Sequence, residues 1–110
     1  MAPDFKHGID EADLREGQPL LGDFDGEPVV LVRDQGRVHA LGATCTHYGG
    51  PLAEGIVARG TIRCPWHHAC FELATGKPHG PALAAVACFD VAIRRRTLGS
   101  NRVIRKKMKR

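Results

Sequence analysis

The chain has 110 residues, with 16 basic and 12 acidic side chains and a hydrophobic content of 43%. This length allows a single domain, and no apolar run approaches the roughly 20 residues that a membrane-spanning helix needs. The N-terminal stretch has early acidic groups and no apolar segment typical of a secretory signal, so we expect a cytoplasmic protein. In a reducing compartment, the four cysteines are interpreted as metal ligands or buried thiols rather than as two disulfides.

The hydrophobic pattern predicts short strands and tight turns rather than long helices. In chain order, the predicted elements are a helical turn at 11–14, a hairpin of strands 29–32 and 38–41 with a turn at 34–36, a hairpin of strands 55–58 and 61–63 with a turn at 59–60, a strand at 70–73 and a strand at 89–93. We therefore predict an all-β fold, a small antiparallel β-sandwich or barrel with ligand-bearing loops at one end.

The C-terminal stretch is strongly basic. Residues 94–110 carry nine of the 16 basic side chains and no acidic one, whereas residues 1–93 carry seven basic and 12 acidic side chains, a net charge of −5. The stretch lacks the interleaved aromatic side chains that stack on bases, so no nucleic-acid partner is predicted. We expect a domain at 1–96 and a basic tail at 97–110. The tail would add an edge strand at 102–105 and then continue as a linker, a solvated disordered end or a purification remnant.

Two cysteine–histidine pairs follow predicted strands. Cys45 and His47 are separated by one residue and Cys64 and His67 by two, with sixteen residues between the pairs. Loops from adjacent hairpins can face each other at one end of a sheet, as a closed metal site requires. Structural zinc sites usually place two cysteines in one half and two histidines in the other. In a two-iron cluster, mixed halves fit if each loop sends its thiolate to one iron and its imidazole to the other. The spacing favours iron–sulfur and leaves a structural zinc domain as an alternative.

At these residues the sequence resembles the Rieske ferredoxin family. The resemblance covers 29–93 and is most specific in Cys-Thr-His-Tyr-Gly-Gly at 45–50 and Cys-Pro-Trp-His-His-Ala-Cys-Phe at 64–71. The sequence is also similar to the N-terminal Rieske module of bacterial reductases related to apoptosis-inducing factor. The resemblance implies a cluster-binding subdomain inserted into the small β fold, with a proline-bearing loop at 80–82 covering the cluster. It implies that one Rieske-type [2Fe–2S] cluster is held by Cys45, His47, Cys64 and His67.

The sequence departs from the high-potential members of that family. Gly50 and Trp66 stand where those members have the cysteines of a disulfide between the two loops. Ala69 and Phe71 stand where they have a serine and a tyrosine whose hydroxyls donate to the cluster sulfurs. Such hydrogen bonds stabilise the more negative reduced cluster. Their loss predicts a potential at the low end of the Rieske range, about −150 mV rather than about +300 mV.

The resemblance implies an electron carrier without substrate chemistry of its own, since the chain is too short to add the mononuclear iron domain of an oxygenase. We expect a monomer that passes single electrons from a flavin-containing reductase to an acceptor such as a ring-hydroxylating oxygenase, with no membrane partner. The acidic body would steer a basic partner. An alternative is an excised N-terminal Rieske module of a fused FAD/NAD(P)H oxidoreductase. Cys70 and Cys88 are interpreted as buried thiols.

Overall fold

Three tight turns connect the strands of three hairpins. The computed structural model describes residues 4–5, 8–44, 50–65, 69–79, 84–96 and 99–107. Each turn has two consecutive residues with positive φ, namely Asp25 and Gly26, Gln35 and Gly36, and Arg59 and Gly60. Two-residue turns with both φ angles positive match the twist of antiparallel strands, and the second residue is a glycine because only glycine adopts this conformation without strain. The turns predicted at 34–36 and 59–60 are confirmed.

The described residues form ten strands and two short 3-10 turns, Glu11–Asp13 and Leu52–Glu54. The strands are β1 Ile9–Asp10, β2 Leu20–Phe24, β3 Glu27–Asp34, β4 Arg37–Gly42, β5 Ile56–Ala58, β6 Thr61–Arg63, β7 Cys70–Glu72, β8 Pro78–His79, β9 Cys88–Arg96 and β10 Gly99–Lys107. A six-stranded sheet has the order β1-β10-β9-β4-β3-β2, and a four-stranded sheet has the order β5-β6-β7-β8. All pairs of neighbouring strands are antiparallel. The predicted all-β antiparallel fold is confirmed.

Strand β3, which lies next to the edge strand β2, is buried on both faces, which a period-two pattern alone did not predict. Val30 and Val32 face the four-stranded sheet, whereas Val29 and Leu31 face the opposite side. The inter-sheet core consists of Val30, Val32, Leu41, Ala43, Leu52, Ile62, Cys64, Ala69, Phe71, Leu73, Val86 and Cys88. The basal core consists of Phe5, Ile9, Leu14, Val29, Leu31, Ala40, Phe89 and Ile104. Cys64, which belongs to the second cysteine–histidine pair, therefore lies in the inter-sheet core.

The N-terminal segment connects distant parts of the six-stranded sheet. Asp4 forms a β-bridge with Asp23 of β2, and β1 pairs with β10 at the opposite end of the strand order. Directly after β1, the Glu11 carboxylate accepts a hydrogen bond from Arg102 and lies 3.9 Å from the Arg33 guanidinium. These contacts link β3 and β10 through the N-terminal segment.

The hairpin of β9 and β10 crosses the predicted domain boundary. Each strand has nine residues, and the register runs from Gly99 opposite Arg96 to Lys107 opposite Phe89. β10 contributes Ile104 to the basal core and is covered on its outer side by β1. The boundaries at 1–96 and 97–110 remain a prediction. In the described part of the chain, no helix has the length and apolar composition needed to cross a membrane.

Candidate metal centre

The second motif occupies the connection between β6 and β7. Cys64 directly follows β6, has no exposed surface, and donates its backbone N–H to the Ala69 carbonyl over 2.6 Å. The preceding residue, Arg63, pairs with Cys70 at the start of β7. The loop therefore leaves and rejoins the sheet at one closed neck, which fixes the position of Cys64. His67 belongs to this loop and lies outside the described residues.

The first motif occupies a loop of similar construction. After β4, Thr44 forms an antiparallel bridge with Pro51, and Leu52 donates its N–H to the Ala43 carbonyl at 2.9 Å. Cys45 and His47 follow directly beyond this neck and lie outside the described residues. Both motifs thus lie on short loops whose two ends are hydrogen-bonded to each other.

The two necks share the inter-sheet core. Ala43 and Leu52 at the first neck are 6% and 0% exposed, and Cys64 and Ala69 at the second are both fully buried. All four pack in the same hydrophobic cluster. Both loops therefore begin and end at one apolar cluster, which is the arrangement that a metal site shared between them requires. In the described part of the chain, no group of three or more His, Cys, Asp or Glu side chains could hold a metal ion. The four-ligand set itself remains a prediction, because three of its members lie outside that part.

The segment after β8 links the two loops. It leaves β8 next to β7, and beyond residues 80–83 Val86 donates to the Gly76 carbonyl at 3.0 Å. Gly42, at the end of β4, then donates to the Ala87 carbonyl at 2.8 Å. A groove of about 220 Å³ runs along this contact, between residues 42–44 and 85–87. The predicted covering loop at 80–82 lies outside the described residues, but the ends of its segment reach both loop necks.

The two further cysteines differ in their surroundings. Cys88 is 5% exposed in the inter-sheet core, and its Sγ donates to the Ala74 carbonyl at 3.4 Å, so its prediction as a buried thiol is confirmed. The same prediction is wrong for Cys70, which is partly exposed. Its neighbour Phe71 turns into the core and is fully buried. Since side chains alternate along a strand, Cys70 then faces outward.

A small polar network lies beside Cys70. Thr75 Oγ1 donates to Glu72 Oε1 at 2.8 Å, and His79 Nε2 lies 2.9 Å from Glu72 Oε2. The hydrogen bond from Thr75, and after it the one with His79, holds the pKa of the Glu72 carboxyl below its usual value. Any stability that Glu72 contributes is therefore present above its unfolded pKa and is lost as the pH falls through the lowered folded pKa. Sequence reasoning missed this network, although the short spacing from Glu72 to Thr75 and His79 around a turn was visible.

Comparisons with known proteins cover the part of the chain that contains both motifs. Residues 7–90 match the model of a family described as Rieske [2Fe-2S] domain. The chain is 45% identical over 82 residues to apoptosis-inducing factor 3 of Mus musculus, which aligns 74% of this chain with 14% of that protein. It therefore spans only a small part of the length of that relative.

Two ferredoxins match over more of their own length. The ferredoxin component of the naphthalene 1,2-dioxygenase system of Pseudomonas putida is 30% identical over 66 residues, which cover 60% of this chain and 64% of that protein. The solved ferredoxin of carbazole 1,9a-dioxygenase from Nocardioides aromaticivorans IC177 superposes with a TM-score of 0.82 at 29% identity. That superposition covers 91% of this chain and 95% of the ferredoxin.

Proposed function

The chain belongs to the Rieske [2Fe-2S] domain family, and from this premise we propose that it is a low-potential one-electron carrier. Its cofactor is a Rieske-type [2Fe–2S] cluster. When bound, such a cluster supplies a reversible one-electron couple. The structural zinc alternative has no support from the family, whose description names iron and sulfide.

The observation that carries this proposal is Cys64, a fully buried cysteine at a hydrogen-bonded loop neck. A thiolate held there is removed from water and fixed by the backbone on both sides, which suits a permanent ligand rather than a reactive thiol. The neck at Thr44 and Pro51, which directly precedes Cys45 in the chain, supports the same role for that residue. We assign Cys45 and Cys64 as the thiolate ligands and His47 and His67 as the imidazole ligands.

The proposed partners are a flavin-containing reductase as donor and a redox protein as acceptor. The two ferredoxins described above are, by their names, components of dioxygenase systems, which supports an oxygenase as the acceptor. The chain itself carries no substrate chemistry in this proposal. The chain is 45% identical to a segment that makes up 14% of apoptosis-inducing factor 3. This similarity supports a second candidate, a Rieske module within a fused FAD/NAD(P)H oxidoreductase. A coding region that continues beyond Arg110 into a Gly-x-Gly-x-x-Gly strand–turn–helix unit would favour this second candidate.

The proposed function is tested on protein purified anaerobically. We expect two iron and two sulfide ions per chain, a red-brown colour, and the electron paramagnetic resonance spectrum of a mixed-ligand cluster after reduction. Spectroelectrochemistry should give one reversible one-electron wave near the low end of the Rieske range, about −150 mV. A colourless protein that holds zinc, or a cluster without a reversible wave, would overturn the proposal.

The midpoint potential should respond to hydroxyl groups placed beside the cluster loop. Ala69 and Phe71 are both fully buried next to Cys64 in the inter-sheet core. We expect the double substitution Ala69→Ser and Phe71→Tyr to raise the potential, because hydroxyl donors to sulfur stabilise the reduced cluster. Phe89→Tyr adds a hydroxyl in the separate basal core and is the control. An unchanged potential in the double variant, with the cluster intact, would contradict the hydrogen-bond account.

A further inference from the structure

Four side chains form a row across the outer face of the four-stranded sheet. Ile56 of β5 pairs with Arg63 of β6, Arg63 pairs with Cys70 of β7, and Cys70 pairs with His79 of β8. Directly opposed residues in antiparallel strands project from the same face. The neighbouring row, which includes Ile62 and Phe71, is buried in the inter-sheet core, so the first row faces outward. We call Ile56, Arg63, Cys70 and His79 the outer row.

The outer row lies at the cluster end of its sheet. Arg63 immediately precedes Cys64, and Cys70 immediately follows Ala69, so the two central members of the row flank the closed loop neck. With neighbouring strands about 4.8 Å apart, the row spans roughly 14 Å beside the second motif. A molecule lying on this row would therefore approach the cluster loop from the side of β6 and β7.

The exposed chemistry of the row is aliphatic and cationic. Ile56 is 69% exposed, and the only other large hydrophobic side chain exposed in the described part of the chain is Leu21, at 43%. Arg63 is also exposed and has no ion-pair partner among the residues that the structure describes. Glu72, two residues beyond Cys70 on β7, is engaged by His79 and Thr75. The row thus combines an apolar contact with an arginine that forms no ion pair within the described part of the chain, although the body as a whole is acidic.

We propose that the outer row is a docking surface for a redox partner that presents an apolar patch beside a carboxylate. The inference rests on the proposed function and specifies the chemistry of one partner surface. Ile56, at the β5 end of the row, gives affinity by excluding water, and the adjacent Arg63 fixes orientation through the partner's carboxylate. The net charge of residues 1–93 favours a basic partner at long range, but close contact is decided by the charges within about one Debye length, roughly 8–10 Å.

The experiment uses the loaded protein on gold electrodes coated with a mixed monolayer of carboxylate-terminated and methyl-terminated alkanethiols. The variants are Arg63→Gln, Ile56→Thr and their combination. Two control variants lie outside the outer row. Arg37→Gln removes an exposed arginine of the six-stranded sheet, at the end of β4 opposite the first loop neck, and Leu21→Thr removes the second exposed aliphatic side chain. Cyclic voltammetry gives the interfacial electron-transfer rate at each protein's own midpoint potential, so a shift in potential next to Cys64 does not affect the comparison. A quartz crystal microbalance measures adsorption without relying on electron transfer.

We expect the double variant to lose about tenfold in interfacial rate and to adsorb more weakly, as loss of an apolar contact together with the neighbouring cation implies. The two controls should stay within about twofold of the unmodified protein, as changes outside an interface do. At about 1 M salt, the effect of Arg63→Gln should disappear while that of Ile56→Thr persists. On a hydroxyl-terminated monolayer, all six proteins should behave alike.

Two results would overturn the docking surface. One is equal rates and adsorption for the outer-row variants and the unmodified protein, and the other is an equal loss in Arg37→Gln or Leu21→Thr. Both results require a normal voltammetric wave and therefore leave the proposed function standing. Absence of the wave in the unmodified protein contradicts the electron-carrier proposal instead.

Discussion

Cys64→Ser is expected to abolish cluster binding, so that iron and sulfide fall to background and the visible spectrum is lost. The physical reason is that Cys64 is fully buried at a loop neck closed by its own N–H, which holds its thiolate in place as a proposed ligand, and serine supplies no thiolate there. Serine occupies nearly the same volume, so the change tests the ligand and not the packing. Iron and sulfide analysis and visible absorption measure the result.

Two other cysteines supply matched controls for this experiment. Cys70→Ser changes a partly exposed side chain one residue beyond the same loop neck. Cys88→Ser changes a buried side chain in the same core, whose Sγ donates to the Ala74 carbonyl, a bond that a hydroxyl can also make. Both variants should keep two iron ions per chain. A full cluster in Cys64→Ser, or an equal loss in Cys70→Ser, would show that the assignment of the ligands is wrong.

Gly55→Ala is expected to be the most destabilising exchange of a glycine for alanine. Gly55 joins the second 3-10 turn to β5, and an added Cβ would lie 2.1 Å from the Arg63 carbonyl oxygen. That contact is with backbone, so β6 must shift, and Cys64 shifts with it. We expect a loss of about 2–4 kcal/mol, which lowers the melting temperature of a domain of this size by roughly 10–25 °C.

Gly42→Ala is the matched control for this effect. Gly42 also lies at a loop neck, but its added Cβ would meet Ala87 at 3.5 Å, an ordinary van der Waals contact. Its melting temperature should change little. Unfolding followed by circular dichroism at one heating rate, together with the visible absorbance of the cluster, compares the two variants. If Gly55→Ala and Gly42→Ala melt at the same temperature, the close approach of Gly55 to the Arg63 carbonyl does not constrain the centre.

The loop necks would let a small domain hold the proposed cluster between two loops. Each loop is closed at its base by backbone hydrogen bonds, and both bases are embedded in one apolar cluster. Loops with fixed ends lose little further conformational freedom when their side chains bind. Rigid loop ends would also keep the surroundings of the proposed cluster similar in its two oxidation states, which suits the proposed electron carrier.

The amino-acid sequence by itself was sufficient for the local features. Gly36 and Gly60 predict their turns because the required positive φ is a property of single residues and does not depend on the rest of the fold. The mixed Cys and His motifs likewise predict iron–sulfur chemistry, because the type and spacing of the ligands are determined within short segments of the sequence. The family match agrees with that prediction.

The tertiary structure alone decided which face each strand presents. Cys70 and Phe71 are adjacent apolar residues, and either could point inward; the pairing of β6 with β7 places Phe71 in the core and Cys70 outside. The same long-range register aligns Ile56 with Arg63. The burial of β3 on both faces similarly depends on the N-terminal segment that covers the basal core. Register and coverage arise from contacts between distant segments, so local patterns do not determine them.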